Sequence, residues 1–254
     1  MSAGSSCNGT RAERATNTKR HGVARVISKL GMGSRTQAAR WVHDGRVQVN
    51  GRVVRDAEFP VRQGVDRVEI EGQPLAAAAR LVVMLNKPRG LVTTAMDERG
   101  RDTVYRCLAG AALPWMAPVG RLDKASEGLL LFSNDPAWAA RITDPESGPD
   151  KTYHVQIDQL PTAAMLQRLQ RGVVLEGEPL TATSARCLRT GSKHAWLEIV
   201  LTEGRNRHIR RLLAYFGVSV LRLVRVRVGG LSLGDLPKEQ WRMLSEREIA
   251  ALSA

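Results

Sequence analysis

A carboxylate between two glycines is the first feature of this 254-residue sequence that suggests chemistry. Asp123 lies in Val119-Gly120-Arg121-Leu122-Asp123-Lys124-Ala125-Ser126-Glu127-Gly128, a loop leading into the apolar run 129–132. An aspartate so placed suits nucleophilic attack or proton abstraction. Gly120 and Gly128 let another backbone approach closely, while Arg121 and Lys124 offset the charge of Asp123 and of a phosphate backbone. Taken alone, the segment fits a plain turn aspartate better. The second feature is arginine. Residues 201–230 carry Arg205, Arg207, Arg210, Arg211, Arg222, Arg225 and Arg227 against one acid, Glu203, and residues 1–75 hold thirteen basic against seven acidic residues. Together the two stretches account for +12 of the formal net charge of +13. A single charge run commonly marks a solvated helix face; two, in separate regions, point to a polyanionic partner.

Other chemistries find little support. Cys7, Cys107 and Cys187 stand far apart, without a CxxC pair or a histidine at ligand spacing, which argues against structural zinc and a disulfide framework and for a reducing cytoplasm. His21, His43, His154 and His194 show no ligand spacing either, so no metal is expected. No stretch reaches the roughly eighteen apolar residues of a membrane span, and the N-terminal residues lack the apolar core of a secretory signal. At 4% aromatic residues, a multi-base stacking platform is hard to staff.

The elements that must position Asp123 follow from periodicity. Residues 1–21 are polar, aperiodic and mildly basic, and read as a disordered arm. Val23, Val26, Ile27 and Leu30 mark one helix; Ser34 with Gln37 opens a second that buries Ala38, Trp41 and Val42. Val47 and Val49, the Asn50-Gly51 turn, Val53 and a strand over 65–71 complete a small helix-helix-sheet domain over 22–72. A linker over 73–80, with its alanine run, leads to a larger domain over 81–254. Strands are expected there at 81–85, 129–133, 153–157, 195–201 and 221–228, and helices at 136–142, 162–169, 206–216 and after Ser245. Without regular strand-helix alternation, the fold class expected is α+β, with a mixed sheet in the second domain.

Several motifs then resemble one family. GRLDKASEGLLLFSND at 120–135 is similar to the GRLDxxTxGLLLxTxD motif of the RsuA/RluB/RluE/RluF class of ribosomal RNA pseudouridine synthases. Asn86-Lys87-Pro88-Arg89-Gly90 resembles that class's NKPxG segment, Lys151-Thr152-Tyr153-His154-Val155 its KxYxV motif, and residues 203–211 its EGxNRQ[VI]RR motif. The first domain resembles an S4-type RNA-binding domain through Gly31, Ser34 and Arg35 and through Gly45, Val47, Val49, Asn50 and Gly51.

The resemblance implies an S4-like domain joined to a mixed, mainly antiparallel catalytic sheet, and a cofactor-free isomerisation of uridine to pseudouridine. Asp123 matches the catalytic aspartate, Tyr153 the tyrosine that stacks on the flipped base, and Arg210 the arginine that pairs with and orients the aspartate. Attack on carbon 1′ and removal of the 2′ proton both remain open for Asp123. Arg121, Leu122, Lys151, Asn206, Arg207 and Leu223 are expected at the substrate, and Arg25, Ser34, Arg35, Arg40, Asn50, Lys87, Arg89, Arg205 and Arg211 on RNA. Three positions depart from the pattern: Ser126 replaces threonine and keeps its hydroxyl, His208 replaces glutamine, offering a weaker, pH-sensitive contact, and Arg25 stands where a lysine is frequent and keeps the charge. The expected partner is ribosomal RNA or a precursor particle, acted on by a monomer with no membrane association. The 23S-directed RluB type fits better than the 16S-directed RsuA type. A non-catalytic assembly factor would have no need to keep Asp123, Tyr153 and Arg210 together, and transfer-RNA enzymes commonly lack this pairing of an S4-like domain with a GRLD loop.

Overall fold

The computed structural model describes residues 20–75 and 79–252; residues 1–19 of the expected arm and 76–78 of the expected linker lie outside the described residues. The described residues divide into two compact units, one comprising residues 20–27 with 35–75, the other 28–34 with 79–252.

The first unit contains β1 (Arg20–Gly22), α1 (Val23–Lys29) as far as Ile27, α2 (Arg35–His43), β2 (Val47–Val49), β3 (Arg52–Val54), β4 (Pro60–Arg62), β5 (Val68–Ile70) and β6 (Gln73–Pro74). Helix α1 buries Val23, Ala24, Val26 and Ile27, and α2 buries Ala38 and Val42, the positions expected from helical spacing. An antiparallel sheet runs in the order β3-β2-β5-β6. Asn50 and Gly51 both take positive φ, 50° and 78°, as a two-residue hairpin turn requires. The structure extends order at both ends of this unit. Arg20 and His21, read as arm, pair with Arg62 and Val61, and Gln73-Pro74, read as linker, pairs with β5.

The second unit contains β7 (Val82–Lys87), a 3-10 turn (Val104–Leu108), β8 (Ala117–Val119), β9 (Glu127–Ser133), α3 (Pro136–Thr143), β10 (Lys151–Ile157), α4 (Ala163–Arg171), β11 (Val173–Leu175), β12 (Glu178–Leu180), β13 (Ser184–Thr190), β14 (Ala195–Leu201), α5 (His208–Tyr215), β15 (Val220–Val228), β16 (Leu231–Ser232), β17 (Trp241–Met243) and α6 (Glu246–Ala251). The sheet order is β13-β14-β10-β15-β9-β7-β17, with β16 beside β15 and β8 beside β9. Every pairing in it is antiparallel except β15 with β9, which run parallel over Val224–Glu127 and Arg225–Gly128 alone. This is the mixed, mainly antiparallel α+β sheet that was expected.

Gly128 permits the parallel joint. At φ +100°, a Cβ there would lie 2.3 Å from the Arg225 carbonyl oxygen, so only glycine lets the two backbones come so close. Arg225 Nε donates to Leu129 O at 2.7 Å and fastens the joint further. One face of the sheet carries the main core, including Val83, Leu130, Phe132, Val155, Leu197, Leu212 and Leu213, while α3 and α6 help cover Val82, Met84, Leu129 and Leu131 on the other. Three helices of this unit start where capping predicts. Asp135 accepts from the Ala137 and Trp138 amides, Thr162 from Met165, and Ser245 with Glu248 forms a complete capping box.

Candidate active site

The cleft opens beside the parallel joint, where the loop entering β9 meets the inward faces of β10 and β15. Strand alternation puts Lys151 and Tyr153 on one face of β10, and Leu223 and Arg225 on the matching face of β15. A register shift between Thr152 and Tyr153 sits beside the site, a device that re-aims side chains. Asp123, half-buried, enters the same open cleft, together with Arg121, Leu122, Ser126, Arg207, His208 and Arg210.

The Asp123 loop is held by backbone contacts from three directions. Lys87, 0% exposed, donates from Nζ to the carbonyls of Pro88 (3.0 Å), Asp123 (3.2 Å) and Ser126 (2.8 Å). Burial pulls its pKa down from 10.5 to about 8, against the opposing pull of Glu127, Asp123 and Cys107. Thr93 Oγ1 donates to Leu122 O at 2.7 Å and accepts from Leu122 N at 3.3 Å. Arg210 donates to Ala125 O and Val220 O, each at 3.2 Å. The expected pairing of Arg210 with the Asp123 carboxylate is not formed among the described residues, because the turn closed by Ser126 N on Asp123 O presents the Ala125 carbonyl to α5 instead. Burial and the like charge of Arg207 lower the Arg210 pKa, and the charge of Asp123 opposes them, so the two groups still act on one another.

Other expected site residues divide clearly. Asp123, Tyr153, Arg210, Arg121, Leu122, Lys151, Arg207, Leu223 and Arg205 line the cleft, and Asn206 lines the adjoining groove. Lys151 is buried and donates to Thr202 O at 2.8 Å. Arg205 pairs with Glu203 and Glu178, and Arg211 with Glu178 and Glu176, so Arg211 points away from the cleft into a carboxylate cluster on the β11–β12 hairpin. Lys87, expected on RNA, has no exposed surface with which to meet it. Arg89 is exposed beyond β7. In the first unit Arg25, Arg35 and Arg40 are exposed and form no ion pair among the described residues; Ser34, which belongs to the second unit, precedes α2 half-buried. Asn50 is occupied structurally: it donates to Asp66 (3.2 Å) and accepts from Arg67 N (2.9 Å).

Three positions gain importance from the geometry. Arg225 lines the cleft, and its signal was its period-2 relation to Leu223. Thr93 carried no sequence signal. His208 is 3% exposed with neither ring nitrogen hydrogen-bonded; the Thr181 backbone approaches without completing a bond. Burial lowers its pKa, which favours the neutral ring over the pH-sensitive contact expected there. Among the described residues, no cluster of histidine, cysteine or carboxylate side chains is able to hold a metal, and no helix is long and apolar enough to cross a membrane.

Comparison with known proteins agrees with this architecture. Residues 81–215 match the model of the RNA pseudouridylate synthase family, and residues 23–66 match the S4 domain. The chain is 34% identical over 231 residues to an uncharacterized RNA pseudouridine synthase of Aquifex aeolicus, covering 91% of this chain and 92% of the relative. It is 32% identical over 234 residues to ribosomal large subunit pseudouridine synthase B of Bacillus subtilis, covering 91% and 95%. A crystal structure of a pseudouridylate synthase superposes with a TM-score of 0.63 at 28% identity, over 92% of this chain and 99% of that one. The family match over more than half of the chain, with relatives 32–34% identical across 91% of it, shows that this chain belongs to the RNA pseudouridylate synthase family.

Proposed function

We propose that the protein converts a uridine of ribosomal RNA, in the large subunit, to pseudouridine without a cofactor, using Asp123 as the catalytic group. The observation that carries this reading is the entry of Asp123 into one cleft with Tyr153, Leu223, Arg121 and Arg207. Uridine and pseudouridine are isomers. The bond from carbon 1′ to N1 breaks, the uracil turns, a bond from carbon 1′ to carbon 5 forms, carbon 5 gives up its proton and N1 gains one. A carboxylate serves either as the nucleophile at carbon 1′ or as the base at the 2′ position. Tyr153 and Leu223, on one face of the sheet, offer an apolar floor for a detached base, and Arg121, Arg207 and Asn206 suit the flanking phosphates and base edges. Arg210 orients the aspartate loop through its backbone.

The first unit, residues 22–72 in this reading, docks the RNA through Arg25, Arg35 and Arg40. Ribosomal RNA or a precursor particle is the substrate, met in the cytoplasm by a monomer. The large-subunit assignment is supported by the name of the Bacillus relative. The test is pseudouridine mapping by carbodiimide adduct and primer extension on unmodified 23S and 16S transcripts. Wild-type protein should create a new stop on 23S RNA, and Asp123→Asn, nearly isosteric, should create none while binding RNA as before. A stop on 16S RNA would overturn the large-subunit assignment; an active Asp123→Asn would remove the catalytic role.

A further inference from the structure

We infer that the loop over residues 92–104 is a rigid wedge whose Met96 enters the RNA stack in the place vacated by the target uridine; this rests on the reading above. The loop is closed at its base by Val92 N to Asp102 O and by Val104 N to Val92 O, both at 3.0 Å. Its tip is closed by Asp97, whose side chain is only 6% exposed. That carboxylate accepts from the backbone amides of Arg99 and Arg101 and from the Arg101 guanidinium at 2.6 to 3.2 Å. Thr94 Oγ1 adds a bond to Met96 O at 2.7 Å. Thr93, at the other end of the same segment, is joined to Leu122, the neighbour of Asp123.

A segment so firmly tied holds Met96 67% exposed, on the wall of a groove that Asp123 also lines. A lone surface methionine is ordinary on a solvated helix. Here the side chain stands at the tip of a cross-braced loop, and Arg99, Arg121, Lys124 and Arg207 in the same groove are able to hold the phosphates on either side of it. Isomerisation requires the uridine to leave its neighbours, which costs the RNA a stacking contact. An unbranched, polarizable apolar side chain is the type that replaces such a contact from a groove. The Thr93–Leu122 hydrogen bonds tie the base of the loop to the segment that carries Asp123.

The test uses the full chain and the 23S fragment in which mapping finds the new stop. In the Asp123→Asn background, 2-aminopurine beside the target uridine should brighten on binding as the stack opens, and adding Met96→Ala should abolish most of that rise. In the otherwise wild-type enzyme, Met96→Ala should lower kcat about tenfold, roughly the effect of one lost stacking contact, with KM nearly unchanged. Met96→Leu should restore both signals. An equal fluorescence rise and equal kcat with and without Met96 would overturn the wedge. Failure of the underlying reading shows separately, as the absence of any new stop with wild-type protein.

Discussion

Lys87 carries a charge at the bottom of the site without touching solvent, and its three carbonyl partners make it the fastening of the Asp123 loop. A protonated amine has three donors and a neutral one has two. As pH rises through the Lys87 pKa of about 8, the clamp loses a bond. Wild-type kcat should therefore fall above pH 8, while Lys87→Met should start roughly 10- to 100-fold lower and lack this alkaline limb in a pH-rate profile. Global stability should move the other way. The folded pKa lies below the unfolded value of 10.5, so between about 8 and 10.5 the unfolded chain binds more protons and this group's contribution to stability rises with pH. An activity loss that tracked unfolding would contradict the clamp. The same residue shows how far a motif reads. Its presence in Asn86-Lys87-Pro88-Arg89-Gly90 was legible, but a lysine suggests a phosphate contact until the strand is seen to aim it inward. Arg210 repeats the lesson, since a sequence motif names the side chain but not whether it binds a carboxylate or the carbonyl two residues on.

At the scale of elements, the site depends on β9 and β15 running side by side for two residue pairs. Gly128→Ala should force the Arg225 backbone away, costing about 3 kcal/mol or more from the clash and the positive φ together, and should open the cleft floor. Denaturant melts would show lower stability, and the surviving folded fraction should have lost activity because Tyr153, Leu223 and Asp123 no longer share one cleft. A variant as stable and active as wild type would show that the joint yields easily. The strand Ala195–Leu201 was legible to the residue, because its alternate positions are buried in strict order. Ser184–Thr190, at the edge of the sheet, was not; a register shift between Cys187 and Arg189 breaks its alternation on a face that stays partly in water. The hairpin β11–β12 turns on Glu176 and Gly177, both at positive φ, and glutamate is an uncommon signal for such a turn. Nor does periodicity show that β9 and β15 are parallel, since strand direction is set by the chain's route between them.

For the whole molecule, the formal charge of +13 is a poor guide to how many cations face RNA. Counted along the chain, residues 201–230 hold one acid for seven arginines, yet folding brings Glu178 to Arg205 and Arg211 and brings Glu127 to Arg222. In the first unit Arg46, Arg62 and Arg67 are likewise paired with Glu71, Asp66 and Glu69. The exposed cations without a carboxylate partner among the described residues include Arg25, Arg35 and Arg40 in the first unit, and Arg89, Arg121, Lys124 and Arg207 in the second. If those seven neutralise phosphates, the plot of log affinity against log salt should have a slope of about −5 to −6 by counterion release. Arg35→Gln should make that slope shallower by roughly 0.7 to 0.9, the contribution of one phosphate contact. Arg211→Gln, which removes an equal formal charge from a carboxylate cluster, should leave it unchanged. Filter-binding titrations of the three proteins between low and moderate salt decide the matter: equal slopes for the two variants would mean that net charge, and not the pairing made by the fold, governs the grip on RNA.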